Sequence, residues 1–367
     1  MKTKKIFFYS AVVLGAVLFA SCSKDSTPDL TTTEAQTEVS TALATYDADI
    51  ATMDNAQGIA VYNQINSLNL PFSLPTEDGF SSTNYVRSFS SRLLAVKSKD
   101  FSSMRKAFRF SDNFDFQSNI GVWEYNAQTQ EFDQTSTTPS DKVIIKFPYP
   151  TTNTTNNAVF TISKYTISMD MDDFGGTYQA NLTLDGNEIW AINYTSSLST
   201  NSSSSTISQT VTLKFSPYEY TETSKFVYSG SESAYSFSGN LSRTLKKNSK
   251  VLLAGSYDIS FKATDSNMSY SIKGNLTVST IRFHIEMASS SDESEYLDVN
   301  NLIQITVYST SGAKMGEMKY VTNQDQVSVL MFYYNDGTSV EASTLFGSIL
   351  GEFNDFLNSA QGQFFSK

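Results

Sequence analysis

From about Phe108 to Tyr334 the chain alternates apolar and polar residues with period two, and this limits its possible folds more than any other feature. Successive side chains on a strand point to opposite faces, so a period of two marks strands buried on one side. Tyr165/Ile167/Met169/Met171, Tyr178/Ala180/Leu182/Leu184 and Val211/Leu213/Phe215 carry the pattern. It continues through Tyr235/Phe237/Leu241, Val251/Leu253/Tyr257/Ile259/Phe261 and Tyr270/Ile272/Leu276/Val278. Ile281/Phe283/Ile285/Met287 and Ile303/Ile305/Val307 complete it. Turn chemistry separates the runs, most clearly at Asp185-Gly186 and Asn335-Asp336-Gly337. Connections this short force antiparallel neighbours, because a parallel pair needs a crossover of about a dozen residues. The expected sheet is a large antiparallel meander over residues 108–334, apolar on one face and rich in Ser and Thr on the other.

Helices bracket these strands. Val39, Ala42, Leu43, Tyr46, Ile50 and Met53 recur at spacings of three and four, which predicts a helix over 34–53. A second covers Ile59 to Leu68 and ends before Pro71; a third, over 82–104, has Tyr85, Phe89, Leu93 and Val96 on one side. Residues 341–365 return to helical spacing with Leu345, Phe346, Ile349, Leu350, Phe353, Phe356 and Leu357. That stripe is broad for a terminal helix, so it should dock on the sheet or plug its open face, with Gly347 and Gly351 permitting close contact with strands.

Curvature is expected from glycine. Tyr235-Ser-Phe-Ser-Gly-Asn-Leu-Ser and Tyr270-Ser-Ile-Lys-Gly-Asn-Leu-Thr match each other, and Tyr178-Gln-Ala-Asn-Leu-Thr is a fainter copy. If Gly239, Gly255 and Gly274 line up on neighbouring strands they form a crease, and such a row curls a sheet. The phase change between Val278 and Ile281 suggests a bulge nearby. The predicted class is therefore α+β: a curved, half-barrel-like meander with N-terminal helices and a C-terminal helix packed on it. In outline this is similar to the half-barrel of periplasmic lipoprotein carriers and lipid-binding proteins, a likeness of shape alone.

The N-terminus has its own logic. Lys2, Lys4 and Lys5 precede the apolar run Ile6–Ala20, and small residues lead to Cys22, the one cysteine of the chain. This is the form of a secretory signal peptide over residues 1–21, ending on a thiol that has no partner for an internal disulfide. Leu18-Phe19-Ala20-Ser21-Cys22 resembles the lipobox of bacterial lipoproteins, with Phe19 standing where Leu is usual. The resemblance implies acylation of Cys22 by palmitate-type chains, worth about 0.8 kcal/mol for each buried methylene. Polar, aperiodic residues 22–33 then read as a flexible tether. Lys24-Asp25 resembles the short charged signal that takes Bacteroidetes lipoproteins to the cell surface. Asp25-Ser26-Thr27 resembles the pattern those bacteria O-glycosylate, implying modification at Ser26. Gly121-Val-Trp-Glu-Tyr-Asn, Lys142-Val-Ile-Ile-Lys-Phe-Pro and Thr155-Asn-Asn-Ala are similar to segments of Bacteroidetes lipoproteins with no assigned chemistry.

Charge narrows the partners. The leader holds three of the 26 Lys and Arg and none of the 37 Asp and Glu, so the remainder, with 23 cations against 37 anions, carries −14. Such a surface repels nucleic acid and anionic headgroups, so attachment to a membrane must come from the acyl chains. After the leader nothing approaches the roughly 18 consecutive apolar residues of a spanning helix. Residues 34–367 read as a single β-rich domain.

Chemistry-bearing motifs are scarce, and no cofactor is called for. One His and one Cys leave no material for a zinc finger or a thiol protease. His284 sits within an alternating strand, and no G-x-S-x-G elbow accompanies it. Asp170, Asp172 and Asp173 before Gly175-Gly176 crowd a turn, but Phe174 stands where a calcium loop needs an oxygen ligand. Asp292, Glu293, Glu295 and Asp298 form a second acidic loop, and Asn181, Asn193, Asn240 and Asn275 head Asn-x-Ser/Thr triplets that reflect composition. Glycan-binding faces use exposed aromatic platforms, for which Trp123 and Trp190 are the candidates. The expected role is a non-enzymatic lipoprotein of the outer membrane, at the cell surface more than on the periplasmic side. It would hold an apolar or glycan ligand in the curved sheet. The alternative is a structural or assembly lipoprotein whose hollow is filled by its own C-terminal helix. A surface glycan hydrolase comes third, because it needs two acids held about 5–9 Å apart that no motif singles out.

Overall fold

The computed structural model describes residues 28–53, 55–75, 114–168, 175–230, 234–264, 268–291, 303–322 and 328–365. They form one open sheet of sixteen strands with three helices on one face, so the class is α+β as the alternation predicts. The strands are β1 (Gly121–Asn126), β2 (Glu131–Ser136), β3 (Val143–Phe147), β4 (Ala158–Tyr165), β5 (Gly175–Leu184) and β6 (Asn187–Thr200). Then come β7 (Ser204–Phe215), β8 (Tyr218–Gly230), β9 (Ala234–Lys247), β10 (Lys250–Thr264), β11 (Met268–Val278) and β12 (Ile281–Ser291). β13 (Ile303–Ser309), β14 (Lys314–Thr322), β15 (Ser328–Tyr334) and β16 (Ser339–Glu341) end the series. From β3 to β16 each strand lies beside the next in antiparallel register. The meander breaks at one edge, where β1 runs parallel to β3 and β2 lies outermost. The β1–β2 hairpin itself serves as the crossover that a parallel pair requires.

Two expectations about the sheet need correction. Val278 pairs with Ile281 across a two-residue turn in which Ser279 takes φ 53°, so the phase change there is a hairpin and not a bulge. Gly239 faces Ile259, Gly274 faces Tyr257, and Gly255 faces Arg243 and Leu276, so the three glycines share a face but form no row. Hairpin geometry sets the register, and similar sequences on neighbouring strands are offset by it.

Helix α1 (Thr32–Ala51) begins earlier than its apolar stripe suggests, because Thr31 and Glu34 close a reciprocal capping box. Ala35, Val39, Ala42 and Tyr46 form its buried side. Helix α2 (Gln57–Ser67) packs near β6, where Tyr62 stacks on Trp190 with centroids 4.7 Å apart. A Cβ on Gly58 would lie 2.2 Å from the Ile189 carbonyl oxygen, so glycine is what lets this helix touch the strand backbone. Helix α3 (Ala342–Phe365) is interrupted at Gly347, which takes φ 47° and faces Leu43 of α1 instead of a strand. On the near side of the kink Phe346 meets Phe283 at 5.4 Å and Phe332 at 5.2 Å, and past it Phe353 meets Phe283 at 5.0 Å. Each fully buried ring contributes roughly 1.5–3 kcal/mol through its apolar area. The helix expected over 82–104 lies outside the described residues.

The two ends of the sheet differ. At one end six tight turns, at 185–186, 216–217, 248–249, 279–280, 310–313 and 335–338, stand side by side. Main-chain bonds lace neighbours together: Asn248 N–H donates to Pro217 O at 2.9 Å and Thr310 N–H to Thr280 O at 2.9 Å. α1 starts at this end, with Leu30 N–H donating to Lys314 O at 2.8 Å and Thr32 Oγ1 donating to Asp336 Oδ2 at 2.7 Å. It finishes there too, where Tyr218 Oη donates to Asp49 O at 2.6 Å and Lys247 Nζ lies 2.8 Å from Asp49 Oδ1. The expected tether over 22–33 is thus too long at its inner end, since Leu30 is bonded to β14 and Thr31 caps α1.

Candidate functional site

The strands from β6 to β10 carry 12 to 15 residues each, two or three times the five of β3. Their parity fixes which side chains face the helices. On β8 these are Tyr218, Tyr220, Glu222, Ser224, Phe226 and Tyr228; on β9 they include Tyr235, Phe237, Gly239, Leu241, Arg243 and Leu245. Moving away from the turns along this inner face, the chemistry changes in three bands.

The band nearest the turns is apolar and buried, with Trp190, Leu213, Tyr220, Leu245 and Leu253 fully enclosed. The middle band is polar. Glu222 and Arg243 face each other across β8 and β9 and are each 2% exposed; Tyr220 Oη donates to the Glu222 carboxylate. Tyr194 lies in the same row one strand beyond Val211. In the next row Ser196, Gln209 and Ser224 are direct partners on β6, β7 and β8. Gln209 is 8% exposed, and its Nε2 meets no hydrogen-bond acceptor among the described residues. Burial of Tyr178 on β5 pushes its phenol well above the ordinary range, so it stays a neutral hydroxyl.

Beyond the polar band lies an aromatic row. Tyr228, Phe237, Phe261 and Tyr270 are direct cross-strand partners on β8, β9, β10 and β11. Tyr235 stacks on both Tyr228, at 5.9 Å, and Phe261, at 5.5 Å, while Phe226 lies nearly parallel to Phe237 at 5.6 Å. The Phe226 ring reaches across β9 because Gly239 has no side chain: a Cβ there would sit 2.1 Å from Phe226 Cδ1. Tyr228, Tyr235, Phe237 and Phe261 are half-buried, unlike the enclosed rings near the turns. Ring faces of this kind, with hydroxyls at their edges, can lie against the C–H faces of sugars or against acyl chains.

The two tryptophans behave differently from each other. Trp190 is fully buried beneath Tyr62 and Phe160, so it is a core residue and no ligand platform. Trp123 is half-buried on β1, with Nε1 donating to Asn119 O at 2.9 Å and its ring edge-on to Phe72. Three strands, β3, β4 and β5, separate β1 from β6, so the tryptophans belong to no common site. His284 lies on the outer face, with Nδ1 3.0 Å from Asn275 Oδ1 and Nε2 3.5 Å from Glu286. Lys273 beside Glu286 holds that carboxyl below its ordinary range. Cys22, Ser26, Asp170, Asp172, Asp173, Asp292, Glu293, Glu295 and Asp298 lie outside the described residues.

Single residues hid the site in the sequence. Glu222 and Arg243 fall in phase with buried aromatics on their strands, a signal that marks an inward charge without showing that the two meet. The aromatic row emerges only when hairpin register aligns four strands. No protein-family model matches the chain, and no curated protein matches it in sequence.

Proposed function

We propose that this chain is a lipid-anchored, non-enzymatic lipoprotein of an outer membrane, displayed at the cell surface, that binds a glycan along the far half of its inner sheet face. The observation that carries the binding role is the four-strand row Tyr228, Phe237, Phe261 and Tyr270, of which the first three rings are half-buried. Half-buried rings with phenol hydroxyls at their edges, on Tyr228 and Tyr235, suit a ligand with both C–H faces and hydroxyls. A free lipid fits less well, since it needs most of its surface enclosed. The anchor rests on the leader, on Cys22 and on the likeness to Bacteroidetes lipoproteins. A second reading, a structural or assembly lipoprotein, draws on Phe346, Ile349 and Phe353, which fill the inner face near β12 and β15 with the chain's own helix.

The test is glycan-array binding by the purified full chain, followed by titration of any hit against Phe261→Ala and Tyr228→Ala. A hit weakened tenfold or more by both substitutions supports the reading. Absence of any hit, together with acyl lipid recovered by solvent extraction, overturns it in favour of a lipid carrier. Absence of both leaves the structural role.

A further inference from the structure

We infer that the six-turn end of the sheet is the end held against the membrane, so that the strands stand away from the bilayer and present the aromatic row outward. The inference rests on the proposed acylation of Cys22 and adds to it where and how the body sits. Among the described residues, Leu30 ties the segment before α1 to the turns. Its N–H donates to Lys314 O at 2.8 Å, and Asn335 Nδ2 donates to both Leu30 O and Lys314 O at 3.1 and 3.0 Å. Thr32 then bonds to Asp336 in the adjoining turn. Three contacts to two neighbouring turns therefore fix the exit of the N-terminal segment at this end.

From Cys22 to Leu30 there are eight residues. Fully extended they reach at most about 29 Å, at 3.6 Å per residue. The turn end cannot lie farther than that from the acyl chains. β10 has 15 residues, so the strands rise about 50 Å from turns to far end at 3.4 Å per residue. Tyr228 is ten residues along β8 from Tyr218, roughly 34 Å beyond the turns on the same measure. An anchor at the far end would have produced the opposite presentation, with the row against lipid.

Nothing among the described residues holds the body flat. The exposed large apolar side chains there are Val251 and Val321, on separate strands, which make no patch. Ser and Thr dominate the outer face, and the chain as a whole is strongly anionic, so neither sheet face attracts anionic headgroups. Lys246, Lys247 and Lys250 cluster at the β9–β10 turn, against Asp49 and Glu219, with Asp185 and Asp336 in turns at the flanks. The tether, and not a charged patch, sets the orientation.

Energy transfer measures it. The full-length lipoprotein, acylated in its host and reconstituted into phosphatidylethanolamine–phosphatidylglycerol vesicles, would carry one introduced thiol at a time, Ser249→Cys in a turn or Ser202→Cys at the far end. Acylation consumes the Cys22 sulfur as a thioether, so each variant takes a single donor dye, and the acceptor is a headgroup-labelled lipid. The expected result is severalfold stronger transfer from position 249 than from position 202. Equal transfer, or stronger transfer from 202, overturns the orientation while leaving the anchor intact. Protein that fails to float with the vesicles and keeps a titratable Cys22 thiol overturns the anchored reading, and the orientation with it.

Discussion

The inner face of the sheet has two halves built from the same alternation and put to different uses. Near the turns, Trp190, Phe283 and Phe332 lie beneath Tyr62 of α2 and Phe346 of α3, ring against ring, and are fully enclosed. Toward the far end, Tyr228 and Phe261 both stack on Tyr235 and Phe237 stacks on Phe226 along the sheet, and Tyr228, Tyr235, Phe237 and Phe261 remain half-buried. Apolar residues on the inner parity are thus no guide to core. What distinguishes the halves is whether a ring packs perpendicular to the sheet, against a helix, or sideways, against the next strand. Sideways stacking leaves Tyr228, Tyr235, Phe237 and Phe261 half-buried, while Phe226, one row closer to the polar residues Gln209 and Ser224, is already enclosed.

Substitutions in the two halves should separate stability from binding. The largest effect is expected at Phe346→Ala, which empties a site enclosed by Phe283 and Phe332. Large-to-small changes of this kind cost about 3–5 kcal/mol, read as a lowered midpoint in urea unfolding. Gly239→Ala comes next. Its Cβ would strike the Phe226 ring and displace it, at a cost of about 1–3 kcal/mol for overpacking. The same change should disturb the Phe226–Phe237 stack and so weaken ligand binding. Phe261→Ala should cost about 1–2 kcal/mol of stability, less than Phe346→Ala, because the lost ring is only half-buried and its stacking is worth about 0.5–1.5 kcal/mol. Its effect on glycan affinity should be the greater one. If Phe261→Ala instead matches Phe346→Ala in unfolding, the far half is core like the near half and the contrast fails.

How much of this was legible in sequence follows the same division. Period two and the Asp185-Gly186 signal gave the antiparallel strands, because they depend on local geometry alone. The start of α1 lies earlier than its apolar stripe predicts, because the Thr31–Glu34 capping box and not the stripe sets it. Trp190, a platform candidate by residue type, lies in the core: its inward parity is local, but the helix above it is a tertiary fact. The glycine row failed for a related reason, since alignment across strands depends on every turn between them. Register also joins Glu222 to Arg243 and Tyr228 to Phe237, so the candidate site could be assembled only once the hairpins were in place.

The smallest expected effect distinguishes the two ends of α1 by their response to pH. At its start, hydrogen bonds from Thr31 hold the Glu34 carboxyl below its ordinary value, and bonds from Thr338 and Thr32 do the same for Asp336. A carboxyl whose folded pKa is depressed stabilises the fold above its unfolded value, and that stabilisation is lost as pH falls through the folded one. At the other end, the hydrogen bond to Asp49 holds the Lys247 ammonium above its ordinary value. That contribution is complete below the unfolded lysine pKa and disappears as pH rises through the folded one. Acidification below the ordinary carboxylate range should therefore loosen Leu30 to Glu34 first, while strong alkali should loosen the contact with Tyr218 and the β9–β10 turn. Amide exchange protection, corrected for intrinsic rates, would show this as a selective loss at residues 30–35 in acid. Asp336→Asn should keep the bond to Thr32 and flatten the acid response. Should acid instead release α1 evenly along its length, the clamp at Leu30 is no stronger than the rest of the helix. The short tether would then be free to lengthen and the outward presentation of the aromatic row would lose its fixed base.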